Sequence, residues 1–144
     1  MYLLDANALI ALCWPAHNHH SQMLRWFREN RHGGWATCAL TQAAFVRVVS
    51  QPAFHTPAVP ISEAAELLTR NLVASDHRFL SIDVSLIDVL RHCTGGVVGH
   101  RQVTDAWLIT IANAHEAKLV TFDRRFTTLL ATHAERDHDI IVLQ

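Results

Sequence analysis

The chain has 144 residues, of which half are apolar and 17% charged, and its formal net charge is −1. That length and apolar content suit one globular domain around one core, residues 1–144, and the near-neutral balance excludes binding to nucleic acid through overall positive charge. Residues 1–13 are apolar but too short to cross a bilayer, interrupted by Asp5 and without a basic leader, so a soluble, cytoplasmic protein with no membrane segment is expected.

Met1 to Leu4 reads as a short buried strand that runs into Asp5. Ala6 to Leu12 is apolar with helical character, and Pro15 closes it. His17 to Asn30 carries apolar Met23, Leu24, Trp26 and Phe27 among polar residues, a helical pattern ending at Gly33-Gly34. His17, His19 and His20 crowd its start; their spacing suits a metal, and a solvated helix start is the simpler reading. Trp35 to Leu40 is a second strand, after which Thr41 caps a helix through Val49, and Pro52, Pro57 and Pro60 mark a loop.

Ser62 to Ala74 reads as an amphipathic helix with Ser62 as its N-cap, Phe79 to Ile82 as a third strand, and Ser85 to Cys93 as a helix with Asp83 as a cap. Gly95, Gly96 and Gly99 form a turn. Thr104 to Ala117 is a strong helix with Trp107, Leu108, Ile111 and Ala112 on one face. Lys118 to Phe122 is a strand, Arg124 to Thr132 a helix, and Ile140 to Leu143 a last strand. Strands alternating with helices imply an α/β fold, a parallel sheet with helices on both faces. Cys13, Cys38 and Cys93 are odd in number and far apart, which suits reduced thiols rather than disulfides or zinc ligands.

Chemistry in open parallel sheets sits beyond the carboxyl ends of strands. Two apolar strands each run into an aspartate, Leu4-Asp5 and Phe122-Asp123, and Asp105 stands at a helix start that returns to the same edge. Three carboxylates in one crevice repel unless a cation sits among them, and oxygen-only ligands favour Mg²⁺ or Mn²⁺. The plainer reading of each is a helix N-cap. Asp88, Asp137 and Asp139 read as surface charges. Arg25, Arg28, Arg31 and His32 form one basic cluster and Arg124 with Arg125 another, either to attract phosphates or to solvate the surface.

Leu3-Leu4-Asp5-Ala6-Asn7-Ala8-Leu9-Ile10 resembles the first motif of PIN domains. Arg101-Gln102-Val103-Thr104-Asp105-Ala106-Trp107-Leu108 resembles their central acidic motif, and Leu119 to Phe126 their closing motif. Leu40 to Val48, followed by Gln51-Pro52, is similar to the second helix of many VapC toxins. The resemblance implies a three-layer α/β/α sandwich and a metal-dependent ribonuclease, the toxin of a toxin–antitoxin pair. It also implies a homodimer held inactive by a VapB-like antitoxin. It places Asp5, Asp105 and Asp123 at the catalytic, metal-holding positions, with Mg²⁺ or Mn²⁺ as cofactor. Asn7 and Thr121 would orient ligands or water. Arg101, Arg124 and Arg125 would hold the RNA backbone.

One position departs from the pattern. PIN domains commonly carry a further glutamate early in the second helix, where this chain has Gln42 and Ala44. Gln42 offers a carbonyl oxygen beside the site but no charge. The alternative reading is therefore a catalytically weak PIN-like domain acting as a binding or regulatory partner. A phosphatase on a similar sheet would show a second aspartate two residues after Asp5, where this chain has Asn7. The aromatics Trp14, Trp26, Phe27 and Trp35 suggest either an exposed apolar groove for an antitoxin or a second copy, or simple packing into the core.

Overall fold

The computed structural model describes residues 1–73 and 76–144. Five parallel strands, β1 (Tyr2–Leu4), β2 (Trp35–Cys38), β3 (His77–Leu80), β4 (Lys118–Thr121) and β5 (Ile140–Val142), form one sheet in the order β3-β2-β1-β4-β5. The chain builds outward from β1 to β3 on one side, then crosses back to lay β4 against the other side of β1. The carboxyl ends of β1 and β4 are therefore the point where the winding reverses, the usual place for a crevice in such sheets.

Because successive strand residues face opposite sides, each central strand feeds two cores. Leu4, Val120 and Trp35 pack under α1 (Ala6–Cys13), α2 (His20–Asn30), α3 (Ala39–Val49) and α4 (Ile61–Leu72). Leu3, Ala36 and Leu119 pack under α5 (Leu86–His92), α6 (Val103–Ala114) and the 3-10 turns at Arg124–Leu129. Helices thus cover both faces, the expected three-layer α/β/α sandwich. No helix among the described residues is long and apolar enough to cross a membrane.

Several elements differ in extent from the sequence reading. Helix α3 begins at Ala39, so Thr41 lies inside its first turn, where its Oγ1 accepts from Cys38 N and donates to Cys38 O, both at 3.0 Å. Helix α6 ends at Ala114 because Glu116 takes a left-handed conformation (φ 52°) and Ala117 N returns to Ala112 O. Helix α4 ends at Leu72; its expected last residue, Ala74, lies outside the described residues. Ser85, rather than Asp83, caps α5 by accepting from Asp88 N, while Asp83 accepts from the Ser81 hydroxyl.

The stretch expected as a helix over 124–132 is a 3-10 segment ending at Leu129, followed by α7 (His133–Asp139). Thr132 and Glu135 form a capping box at the start of α7, a signal visible in Thr132-His133-Ala134-Glu135. Asp139, expected on the surface, is buried. Its carboxylate lies 2.6 Å from His138 Nδ1 and 3.4 Å from Asn113 Nδ2, and 3.3 Å from His92 Nε2 off the hydrogen-bond direction. This charge ties α7 to α5 and α6.

Of the aromatics near the start, only Trp14 lines a groove among the described residues, with Val59 and Leu67. Trp35 is buried, and Trp14, Trp26 and Phe27 pack into the α1–α4 core. Exposed apolar surface lies elsewhere, chiefly Leu86, Ile87 and Leu90 along α5 and Phe79 on the edge strand β3. All three cysteines are free and buried, as expected of reduced thiols.

Candidate active site

Asp5 follows β1 directly and Asp123 stands two residues beyond β4. Asp5 is 5% exposed. Its Oδ1 accepts from Ala8 N at 2.6 Å and caps α1, while its Oδ2 accepts from the Thr121 hydroxyl at 2.5 Å. Thr121 Oγ1 also accepts from Asp123 N at 2.9 Å, so this one hydroxyl links both strand ends. Asp5 is thus a helix cap, as the plainer reading has it, and its second oxygen is turned to the end of β4.

Asp105 sits in the first turn of α6 and is not its cap, since α6 starts at Val103 and its N-cap is Gln102. Asp105 is half-buried, with no hydrogen-bond partner for its carboxylate among the described residues. Burial pushes the Asp5 carboxyl up from 3.8 to about 6, and the charges of Asp105 and Asp123 add to that rise. Burial also raises Asp105, with Asp123 pushing the same way and Arg125 opposing. The three acids therefore share one field.

Arg125 is the cation in that field. Its Nε lies 3.0 and 2.9 Å from the two oxygens of Asp123, its Nη2 bonds Oδ2 at 2.5 Å, and its backbone N donates to Oδ1 at 2.8 Å. These contacts hold the Asp123 carboxyl below the usual range. With Asp123 turned onto Arg125 and both Asp5 oxygens accepting hydrogen bonds, no group of three or more His, Cys, Asp or Glu side chains is positioned to hold a metal ion among the described residues.

The remaining candidates scatter around this centre. Asn7, on the first turn of α1, meets His17 Nε2 at 3.2 Å through its Oδ1. Gln42 makes no hydrogen bond to the aspartates; its Nε2 donates to Thr37 Oγ1 at 2.9 Å, and the side chain borders a groove with Val46, Leu68 and Phe79. Arg101, Arg124 and Arg125 are all exposed. Gln102 brings their two segments together, accepting from Val98 N and Gly99 N while donating to Thr128 Oγ1 at 3.0 Å. Gly95 lets the same loop approach closely, since a Cβ there would meet Thr128 O at 2.3 Å. Arg31, from the other basic cluster, pairs with Asp76 at 3.1 Å where β2 and β3 begin, the edge opposite the carboxylates.

The histidine cluster, in sequence a solvated helix start, packs against the site. His17 meets Asn7, His19 stacks on Phe122 and His20 Nδ1 lies 2.8 Å from Ala11 O. Burial lowers His17 from its usual value, with His19 and His20 pushing the same way. Three histidines within four residues are a visible signal, but nothing in their spacing names the target.

A family model described as PIN domain matches residues 2–129. Ribonuclease VapC38 of Mycobacterium tuberculosis is 46% identical over 129 residues, covering 90% of this chain and 89% of that protein. Ribonuclease VapC39 of the same organism is 40% identical over 125 residues, covering 84% and 87%. In solved structures, VapBC2 from Rickettsia felis, bound to a DNA fragment from the promoter, aligns over 99% of this chain and 98% of its own with a TM-score of 0.62 at 14% identity, a likeness of fold. The motif matches, the sheet order and these relatives together place the chain in the PIN-domain family, among the VapC proteins.

Proposed function

We propose that this protein is a metal-dependent endoribonuclease, the toxin of a toxin–antitoxin pair. The observation that carries this reading is the convergence of Asp5, Asp105 and Asp123 at the winding reversal of a parallel sheet, where burial raises the Asp5 carboxyl to about 6 and the other two charges add to that rise. Relatives named ribonucleases at up to 46% identity supply the reaction class.

The donor chemistry suits a hard divalent ion, because Asp5, Asp105 and Asp123 share one field, Asp123 could join the other two once turned off Arg125, and Mg²⁺ is commonly held by one or two carboxylates with waters completing its shell. Asp5, Asp105 and Asp123 would hold Mg²⁺ or Mn²⁺, which when bound neutralises charge at the phosphoryl group and polarises it. Thr121 holds Asp5 in place, and Asn7 anchors His17 beside it. Asp105, with no hydrogen-bond partner among the described residues and a raised pKa, would be the carboxylate least engaged by the ion, its remaining oxygen taking a proton from the attacking water. Arg101 and Arg124 hold the RNA backbone from the rim. Arg125 has two roles in turn, covering Asp123 at rest and meeting phosphate when displaced.

The partner is a VapB-like antitoxin, as in the VapBC2 complex that shares this fold. The exposed face of α5, with Leu86, Ile87 and Leu90, and the groove between α3 and α4 give it and a second copy apolar surface. A second reading, a PIN-like domain with weak catalysis that serves as a binding or regulatory partner, draws on the uncharged Gln42 and on Arg125 covering Asp123.

The test is to incubate the purified protein, freed of antitoxin, with total RNA and Mg²⁺ or Mn²⁺ and to sequence the new 5′ ends. Discrete cuts with 5′-phosphate and 3′-hydroxyl ends, absent in EDTA, are expected. Intact RNA under all conditions favours the binding-partner reading.

A further inference from the structure

The histidine cluster has a chemistry that the carboxylates do not explain. The His19 ring lies on Phe122 with centroids 4.4 Å apart and planes at 17°, a stacked pair. Phe122 is the residue between Thr121 and Asp123, so the pair stands at the carboxyl end of β4, on the α1–α2 face of the sheet. Phe122 packs against the core below, whereas His19 is exposed. An aromatic ring laid flat on another and left in water is a surface on which a third flat ring can stack.

Hydrogen bonds tie this segment to α1. His19 N donates to His17 Nδ1 at 3.1 Å, which leaves the His17 proton on Nε2, where it reaches Asn7 Oδ1 at 3.2 Å. His20 Nδ1 lies 2.8 Å from Ala11 O, tying the same stretch to α1. The His19 ring is thus positioned from two sides, by elements that also position Asp5 and Asp123.

We propose that His19, seated on Phe122, is a stacking subsite for an unpaired base of the RNA, beside the phosphate that reaches the carboxylates. The proposal rests on the ribonuclease reading. Unpaired bases stack on Phe and His rings in single-strand recognition, and such stacking tolerates any base because every base has a π-face. The arginines across the crevice would contact phosphates alone, so the stack would add the hold on one base beside the cut, whatever its identity.

The test measures binding of fluorescently labelled oligoadenylate and of a matched oligomer of abasic ribose phosphate, in Ca²⁺, with the oligomers checked for integrity on a gel. The two carry the same phosphates and differ only in their bases. Wild type should bind oligoadenylate about tenfold more tightly than the abasic oligomer, the scale of one aromatic stack. His19→Ala should remove most of that preference while leaving abasic binding unchanged. His19→Phe should keep it, because a flat ring suffices. A wild-type preference that persists in His19→Ala overturns the subsite and leaves the ribonuclease reading standing. A preference lost equally in His19→Ala and His19→Phe also overturns it, since the ring then serves packing alone. Failure of wild type to bind either oligomer at low salt overturns both.

Discussion

The Thr121 hydroxyl donates to Asp5 Oδ2 at 2.5 Å and accepts from Asp123 N at 2.9 Å, so one buried side chain couples the ends of β1 and β4. Thr121→Val keeps the shape and removes the hydroxyl, leaving a buried carboxylate oxygen and a backbone N–H unpaired. An unsatisfied buried polar group costs about 1–3 kcal/mol. Urea unfolding of this variant should show a lower midpoint at unchanged slope. An unchanged midpoint would mean that the bond contributes nothing.

Stability should depend on pH through Asp5. Its carboxyl lies at about 6 in the fold against an ordinary value of 3.8, so between these values the folded state binds more protons than the unfolded one. Stability then falls as pH rises from about 4 to about 6 and levels off above, by a total on the order of 3 kcal/mol. Asp5→Asn removes this loss. In EDTA the variant should gain on wild type as pH rises to 7, with the difference constant below about pH 4. A difference independent of pH would show that Asp5 does not titrate in this window. Divalent metal should reduce the wild-type loss, because binding to the folded state adds stability.

Two substitutions should change metal affinity in the same direction by different routes. Arg125→Ala frees Oδ2 of Asp123 and leaves Oδ1 only the bond from the backbone N of residue 125, and Gln42→Glu adds the charge that related sites commonly carry. Each should lower the Mn²⁺ concentration that half-saturates the protein, by several-fold, in a direct binding measurement without RNA. If Gln42→Glu has no effect while Arg125→Ala tightens binding, the carboxylates suffice and position 42 lies outside the ion's reach.

The basic rim should emerge in the salt dependence of RNA binding. Arg101 and Arg124 belong to segments joined by the Gln102–Thr128 hydrogen bond. Replacing both with alanine should weaken binding across sequences alike and lower the slope of log affinity against log salt by about 2, roughly one per lost phosphate contact. Arg31→Ala, at the opposite edge of the sheet, should leave the slope unchanged.

Where side chains repeat with the period of their element, the fold is readable from sequence. Leu3-Leu4 and Leu119-Val120 announce β1 and β4, and each runs into its aspartate; Trp107, Leu108 and Ile111 announce α6. Reading fails where burial is not apolar or pairing is long-range. Helix α7 is polar along its length and declares itself only by its Thr132–Glu135 cap. Strand β3 includes His77 and Arg78 because it is an edge strand whose middle residues, Arg78 and Phe79, are exposed on opposite faces. Burial of Asp139 depends on His138, Asn113 and His92 from three helices, and the stack of His19 on Phe122 joins residues about a hundred positions apart. The grip of Arg125 on Asp123 is local, but nothing in Asp123-Arg124-Arg125 says which arginine turns inward.

The most direct test of the account is the RNA cleavage rate of Asp105→Asn at saturating Mn²⁺, set against wild type. Asp105 caps no helix and holds no hydrogen bond among the described residues, so the substitution should leave folding intact while removing the group that takes the proton. General-base removal typically costs about 10²–10⁴-fold, and a loss of at least about a hundredfold is expected with an unfolding midpoint no lower than that of wild type, since burial disfavours the Asp105 charge. Cleavage at the wild-type rate would contradict the claim that the shared acidic crevice carries out the reaction.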